Sequence, residues 1–139
     1  MSITKILNRS VFFSIVFFFL KLVINILLLI VGKNEIDINI VISDNISLDN
    51  VYFIFLTVFL PLFISSIIYL YFDTNLIKIV YWLISLIPIC LFVYGSNVVT
   101  FEFTYINGYL YLLLPLFLIF AFYYNFKIIN NCKSKFNSN

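Results

Sequence analysis

The chain has 139 residues, of which 64% are hydrophobic and 10% charged, with a net charge of +2. Soluble domains run near half apolar and a quarter charged, and so short a chain cannot hide this much apolar surface in one aqueous core. Composition therefore excludes a soluble domain, and disorder with it, and leaves an all-α integral membrane protein. Absent chemistry narrows the function. Without His there is no His-based triad, zinc site or haem ligation. Cys90 lies in an apolar run and Cys132 in a polar tail, so neither a disulfide nor a metal site is expected. Three dispersed Gly form neither a nucleotide-binding loop nor a G-x-x-x-G face. No catalytic set, cofactor or nucleic-acid surface is expected.

About 20 apolar residues cross a bilayer. Four stretches meet that length within a single transmembrane domain over 1–139: roughly 11–32, 51–72, 75–95 and 106–126. Lys21 interrupts the first run and no A-x-A-like site follows it, so it reads as a retained span and not as a cleaved signal. An outer loop, 33–50, follows. Within it Ile36, Ile38, Ile40 and Ile42 alternate with polar residues and Val41, the pattern of a half-buried strand. Asn45-Ile46-Ser47 is a glycosylation sequon, and Ile46 and Leu48 offer a weak third alternation. The second and third spans are joined around Asp73 and Thr74, which forces a tight antiparallel hairpin. A second outer loop, 96–105, alternates Val99, Phe101, Phe103 and Tyr105. The two loops together predict a small extracytoplasmic β element resting on a four-helix bundle. The tail, 127–139, carries Lys127, Lys133 and Lys135.

Charge orients the spans. With both termini inside, the cytoplasmic side holds Lys5, Arg9, Lys78, Lys127, Lys133 and Lys135 against Asp73 alone. The outer side holds Lys33 against Glu35, Asp37, Asp44, Asp49 and Glu102. Such a Lys/Arg bias in short loops predicts cytoplasmic N- and C-termini in the plasma (inner) membrane.

A candidate intramembrane site follows from Lys21, which lies near the centre of the first span as assigned. Ser14, Lys21, Asn25 and Gly32 fall within about 40° on the helix wheel, so this stripe is expected to face inward. A mid-membrane charge is costly and marks a functional or structural knot. Pro61, Pro88 and Pro115 each fall near the middle of a span and free the carbonyls of Thr57, Ile84 and Tyr111. With no acidic residue at that depth, the expected partners of Lys21 are the hydroxyls of Ser65, Ser66 or Ser85 and those carbonyls. Two functional classes follow. The first is non-enzymatic protein–protein recognition in the membrane, as an immunity or exclusion protein or an accessory subunit, whose partner is another membrane protein or a membrane-inserted toxin. The second is a small oligomeric transporter or channel built on the kinked helices and Lys21. Buried acids are lacking, which disfavours proton coupling.

Overall fold

A computed structural model describes residues 1–31, 38–72, 74–102 and 110–137. Within them the chain is helical: α1 (Ile3–Val31), α2 (Ile38–Ile46), α3 (Leu48–Ile54), α4 (Leu60–Tyr71), α5 (Asn75–Glu102) and α6 (Leu113–Asn137), with a π turn over Phe55–Phe59 joining α3 to α4. Four segments are long and apolar enough to cross a membrane: Ile3–Ile30, Leu48–Tyr71, Asn75–Tyr94 and Leu113–Lys135. They form an antiparallel bundle in which α4 and α6 each pack on both α1 and α5. Phe17 of α1 meets Phe92 of α5 edge-on at 4.9 Å.

The expected β element is overturned, since there is no strand among the described residues. The segment proposed as the first strand forms α2 from Ile38 onward, while 35–37 lie outside the described residues. The alternating isoleucines also carry a helical register. Val41 and Ile42 are half-buried and Asn45 buried, one turn apart, whereas Ile38 and Ile40 are exposed. A helix satisfies its own backbone bonds where an isolated strand pair cannot, which decides between the two patterns near an apolar phase. The Ile46–Leu48 alternation breaks at Ser47, whose hydroxyl accepts the Asn50 backbone N–H at 3.3 Å and caps α3. In the second proposed strand, residues 99–102 continue α5 and 103–105 lie outside the described residues.

The prolines act at three different places. Pro61 follows the π turn directly, and the Leu60 N–H reaches back to the Phe55 carbonyl. The widened turn accommodates a ring that would clash with the carbonyl four residues earlier. Pro88 lies inside α5. Pro115 is the third residue of α6, where its missing N–H removes no helical bond. The α4–α5 hairpin turns through extended Phe72, and the Thr74 hydroxyl accepts the Ile77 N–H at 3.3 Å.

Two packed layers make the core. One comprises Phe17, Ile24, Ile54, Val58, Leu114 and Leu118, and the other Phe13, Leu62, Tyr69, Tyr81, Ala121, Phe122 and Ile129. Around them the bundle surface is a jacket of exposed Ile, Leu, Val and Phe. In a membrane, association of such helices would rely on close packing and interhelical hydrogen bonds, because lipid is as apolar as the partner helix. Phe17 is fully buried at the centre. Its replacement by Ala is expected to lower stability by about 3–5 kcal/mol, read from reversible unfolding in mixed micelles, whereas exposed Phe19→Ala is expected to change it by less than about 0.5 kcal/mol.

Candidate functional site

A chain of amides joins α1 to the α2–α3 corner. The Lys21 ammonium donates to Asn50 Oδ1 and lies 5.6 Å from the centre of the Phe53 ring. One turn further along α1, Asn25 Nδ2 donates to Asn45 Oδ1 at 2.9 Å, and Asn25 Oδ1 accepts the Tyr111 hydroxyl. Asn45 Nδ2 donates to the Val41 carbonyl at 2.8 Å within α2, and Asn50 Nδ2 donates to the Asn45 backbone carbonyl at 2.7 Å. Ser47 closes the corner by donating to the Asp44 carbonyl at 2.7 Å. Every side-chain oxygen and nitrogen of Asn25, Asn45 and Asn50 thus has a partner. A fully satisfied, partly buried network of this kind favours one arrangement of its helices, because each broken link orphans a polar group.

This network assigns Lys21 a depth. The ammonium lies level with Asn50, in the first turn of α3. From Asn50 to Tyr71, at the far end of α4, the rise is about 31 Å for a helix, close to the thickness of a bilayer's hydrocarbon core. Lys21 therefore stands level with the start of the span formed by α3 and α4, although it is central in a span counted from 11 to 32, and α1 runs a further ten residues beyond it to Val31. The α1 helix begins at Ile3, about two turns before residue 11.

The structure joins some of the residues singled out in the sequence and separates others. Lys21 and Asn25 share the network. Ser14, on the same stripe, donates back to the Ser10 carbonyl at 2.7 Å. Gly32 lies outside the described residues. Ser65 donates to the Leu62 carbonyl at 3.3 Å and Ser85 to the Trp82 carbonyl at 2.7 Å, so both turn back on their own helices. Ser66 accepts Asn125 Nδ2 at 3.4 Å. A second polar cluster occupies the opposite end. There the Tyr81 hydroxyl donates to the Phe122 carbonyl at 2.6 Å, and the Tyr69 hydroxyl to Asn130 Oδ1 at 3.1 Å. Lys133 donates to the Phe72 carbonyl at 2.8 Å, at the carbonyl end of α4 where a cation is favourable, and lies 4.3 Å from the Tyr69 ring centre. Phe17, Val58, Leu62 and Leu118, all fully buried, separate the two clusters.

Sequence reasoning missed Asn45 and Asn50, and singled out Tyr111 for its carbonyl where it is the hydroxyl that joins the network. Asn45 was visible only as a sequon, yet its amide is buried and committed within the fold. A usable signal existed in the lack of any acid near Lys21, which leaves neutral amide oxygens as its best acceptors, and the outer loop is rich in Asn. Comparisons with protein-family models, with curated proteins and with solved structures found no match. The described residues contain no group of three or more His, Cys, Asp or Glu able to hold a metal ion.

Beside the network, α1 and α3 part to leave a lateral groove of about 500 Å³. It is lined by Ser14, Ile15, Phe18 and Phe19 of α1 facing Val51, Ile54, Phe55 and Phe59. Phe55, Phe59 and Phe63 stack along one side, with ring centres 5.0 and 5.5 Å apart.

The pairing of Lys21 with Asn50 is testable by a double-mutant cycle. Lys21→Met orphans the Asn50 oxygen and Asn50→Leu orphans the ammonium, each at about 1–3 kcal/mol. The double variant is expected to lose less than the two single losses added, by about 1 kcal/mol or more. Strict additivity in micelle unfolding would show that the two side chains do not meet.

Proposed function

We propose that this protein is a non-enzymatic, multi-pass protein of the plasma (inner) membrane that acts by protein–protein recognition, presenting its α2–α3 corner to another membrane protein or a membrane-inserted toxin. Both termini are cytoplasmic in this reading, which rests on the Lys/Arg bias of the loops and on the jacket of exposed apolar side chains around four long helices. An immunity or exclusion protein, or an accessory subunit of a larger assembly, are the forms of recognition that fit this architecture, by analogy of size and layout alone.

One observation carries the reading. The amide network fixes the corner rigidly, and the fixed corner displays apolar side chains instead of hiding them. Leu48 is 83% exposed, Ile46 58% and Tyr52 61%. Exposed Asp44 and Asp49 stand beside them. A pre-ordered apolar patch rimmed by acids suits a partner that brings apolar and basic groups, and its order reduces the entropy cost of binding. Transport through a single copy has less support, since the apolar layer of Phe17, Val58, Leu62 and Leu118 interrupts any polar path between the two clusters.

Orientation is the first test. In a chain lacking its native cysteines, a thiol placed at exposed position 43 is expected to react with an impermeant reagent from outside intact cells. Native Cys132, kept as the only thiol, is expected to react only after the membrane is opened. The reverse pattern would refute the orientation. Recognition is tested by a photo-crosslinking residue at 48, expected to capture a membrane partner in cells, with an exposed bundle position such as 83 as control. Equal capture at both positions would count against the corner.

A further inference from the structure

We propose that the groove between α1 and α3, together with Lys21, is a binding site for one anionic phospholipid of the outer leaflet, with its phosphate at the ammonium and an acyl chain in the groove. The groove and the cation are contiguous. Phe18 at its end is one turn from Lys21 along α1, and Ile54 opposite is one turn from Asn50, the residue that holds the ammonium. Both helices thus carry the slot up to the charge.

The chemistry of the two parts differs sharply. The lining is aliphatic and aromatic apart from Ser14, and the Ser14 hydroxyl is already committed to the Ser10 carbonyl. Nothing in the slot asks for a polar ligand, and a hydrocarbon chain fills it without orphaning any group. The stacked Phe55 and Phe59 rings give its wall a flat face. Above it, the ammonium has three N–H donors and spends one on Asn50. Among the described residues no carboxylate is paired with it. An apolar slot beneath an incompletely bonded cation is complementary to an anion carrying a hydrocarbon tail.

Depth selects the lipid. The ammonium lies about 31 Å from the opposite end of α4, where the phosphate and glycerol region of the outer leaflet meets the hydrocarbon. From there the lining residues Phe19 to Val11 descend about 12 Å toward the bundle centre. Charge and slot are therefore ordered as head and tail are ordered in an outer-leaflet lipid. A helix about 10 Å across would bridge the groove's lips instead of entering a slot of this volume.

The inference rests on the proposed membrane insertion and, for the choice of leaflet, on the proposed orientation, but its test needs neither the partner nor the orientation assay. Purified, delipidated protein in detergent, offered phosphatidylglycerol and phosphatidylcholine with identical chains, is examined by native mass spectrometry. Wild-type protein is expected to retain phosphatidylglycerol over phosphatidylcholine by about fivefold, the effect of one cation near a lipid surface. Lys21→Gln, which keeps a donor for Asn50, is expected to bring the ratio to about one. Ile15→Trp, which fills the slot and leaves Lys21 in place, is expected to lower retention of both lipids. Equal retention of the two lipids by wild-type protein would overturn the proposal. So would stronger retention of oleate than of phosphatidylglycerol, which would make the ligand a free fatty acid, or unchanged retention in Ile15→Trp. Crosslinking at position 48 is independent of all these outcomes, so failure here leaves the recognition reading standing, and the converse holds.

Discussion

Hydrogen bonding of a single lysine and three asparagines governs the arrangement of α1 and the α2–α3 corner. In an apolar bundle, hydrophobic packing barely distinguishes one helix rotation from another, because Leu against Leu is much like Leu against lipid. A polar group without a partner does distinguish them. Lys21 and Asn25 mark one face of α1, and the α2–α3 corner supplies acceptors at the matching height through Asn45 and Asn50, while the Tyr111 hydroxyl donates to the remaining Asn25 oxygen. Satisfying them sets the rotation of α1, folds 38–46 as a helix and closes the turn at Ser47.

Other features follow from that contact. With α1 held to the corner at its outer end, and packed on α4 and α6 through Phe13 and Phe17, the stretch between is spread wide enough to leave the groove. The π turn at Phe55–Phe59 lies along that stretch. It absorbs the ring of Pro61 and turns Phe55 and Phe59 onto the groove wall. At the other end Tyr69, Tyr81, Asn125, Asn130 and Lys133 make an independent cluster, and Tyr69 stacks on Phe126 at 4.7 Å. The two ends are polar for different reasons. One orders the corner, and the other ties the α4–α5 hairpin to α6.

The sequence revealed the helices readily and the site only by half. Four apolar runs of bilayer length are a direct consequence of composition, and four helices long and apolar enough to cross a membrane overlap them. Their ends were harder to read. The α6 helix extends through the charged tail to Asn137, because Lys, Asn and Ser continue a helix that is anchored at Lys133. Residues 38–46 misled because Ile at every second position satisfies period 2, while the helical signal rested on the single buried amide of Asn45. Lys21 and Asn25 were legible as an inward polar stripe. Their partners were not, since an uncharged Asn in a loop gives no local sign that it will meet a lysine 29 residues away. Ser65 and Ser85 looked equally eligible, yet a serine in a helix has a nearby carbonyl of its own and spends its hydroxyl there.

The dependence of the α2–α3 corner on α1 is measured most directly by amide hydrogen exchange over 38–50 in the wild-type protein and in a Lys21→Met/Asn25→Leu variant. Wild-type amides there are expected to exchange slowly, and those of the variant to exchange about tenfold or more faster, while 60–71 and 113–130 are unchanged. Equal protection of the corner in both proteins would contradict the claim that the amide network holds it.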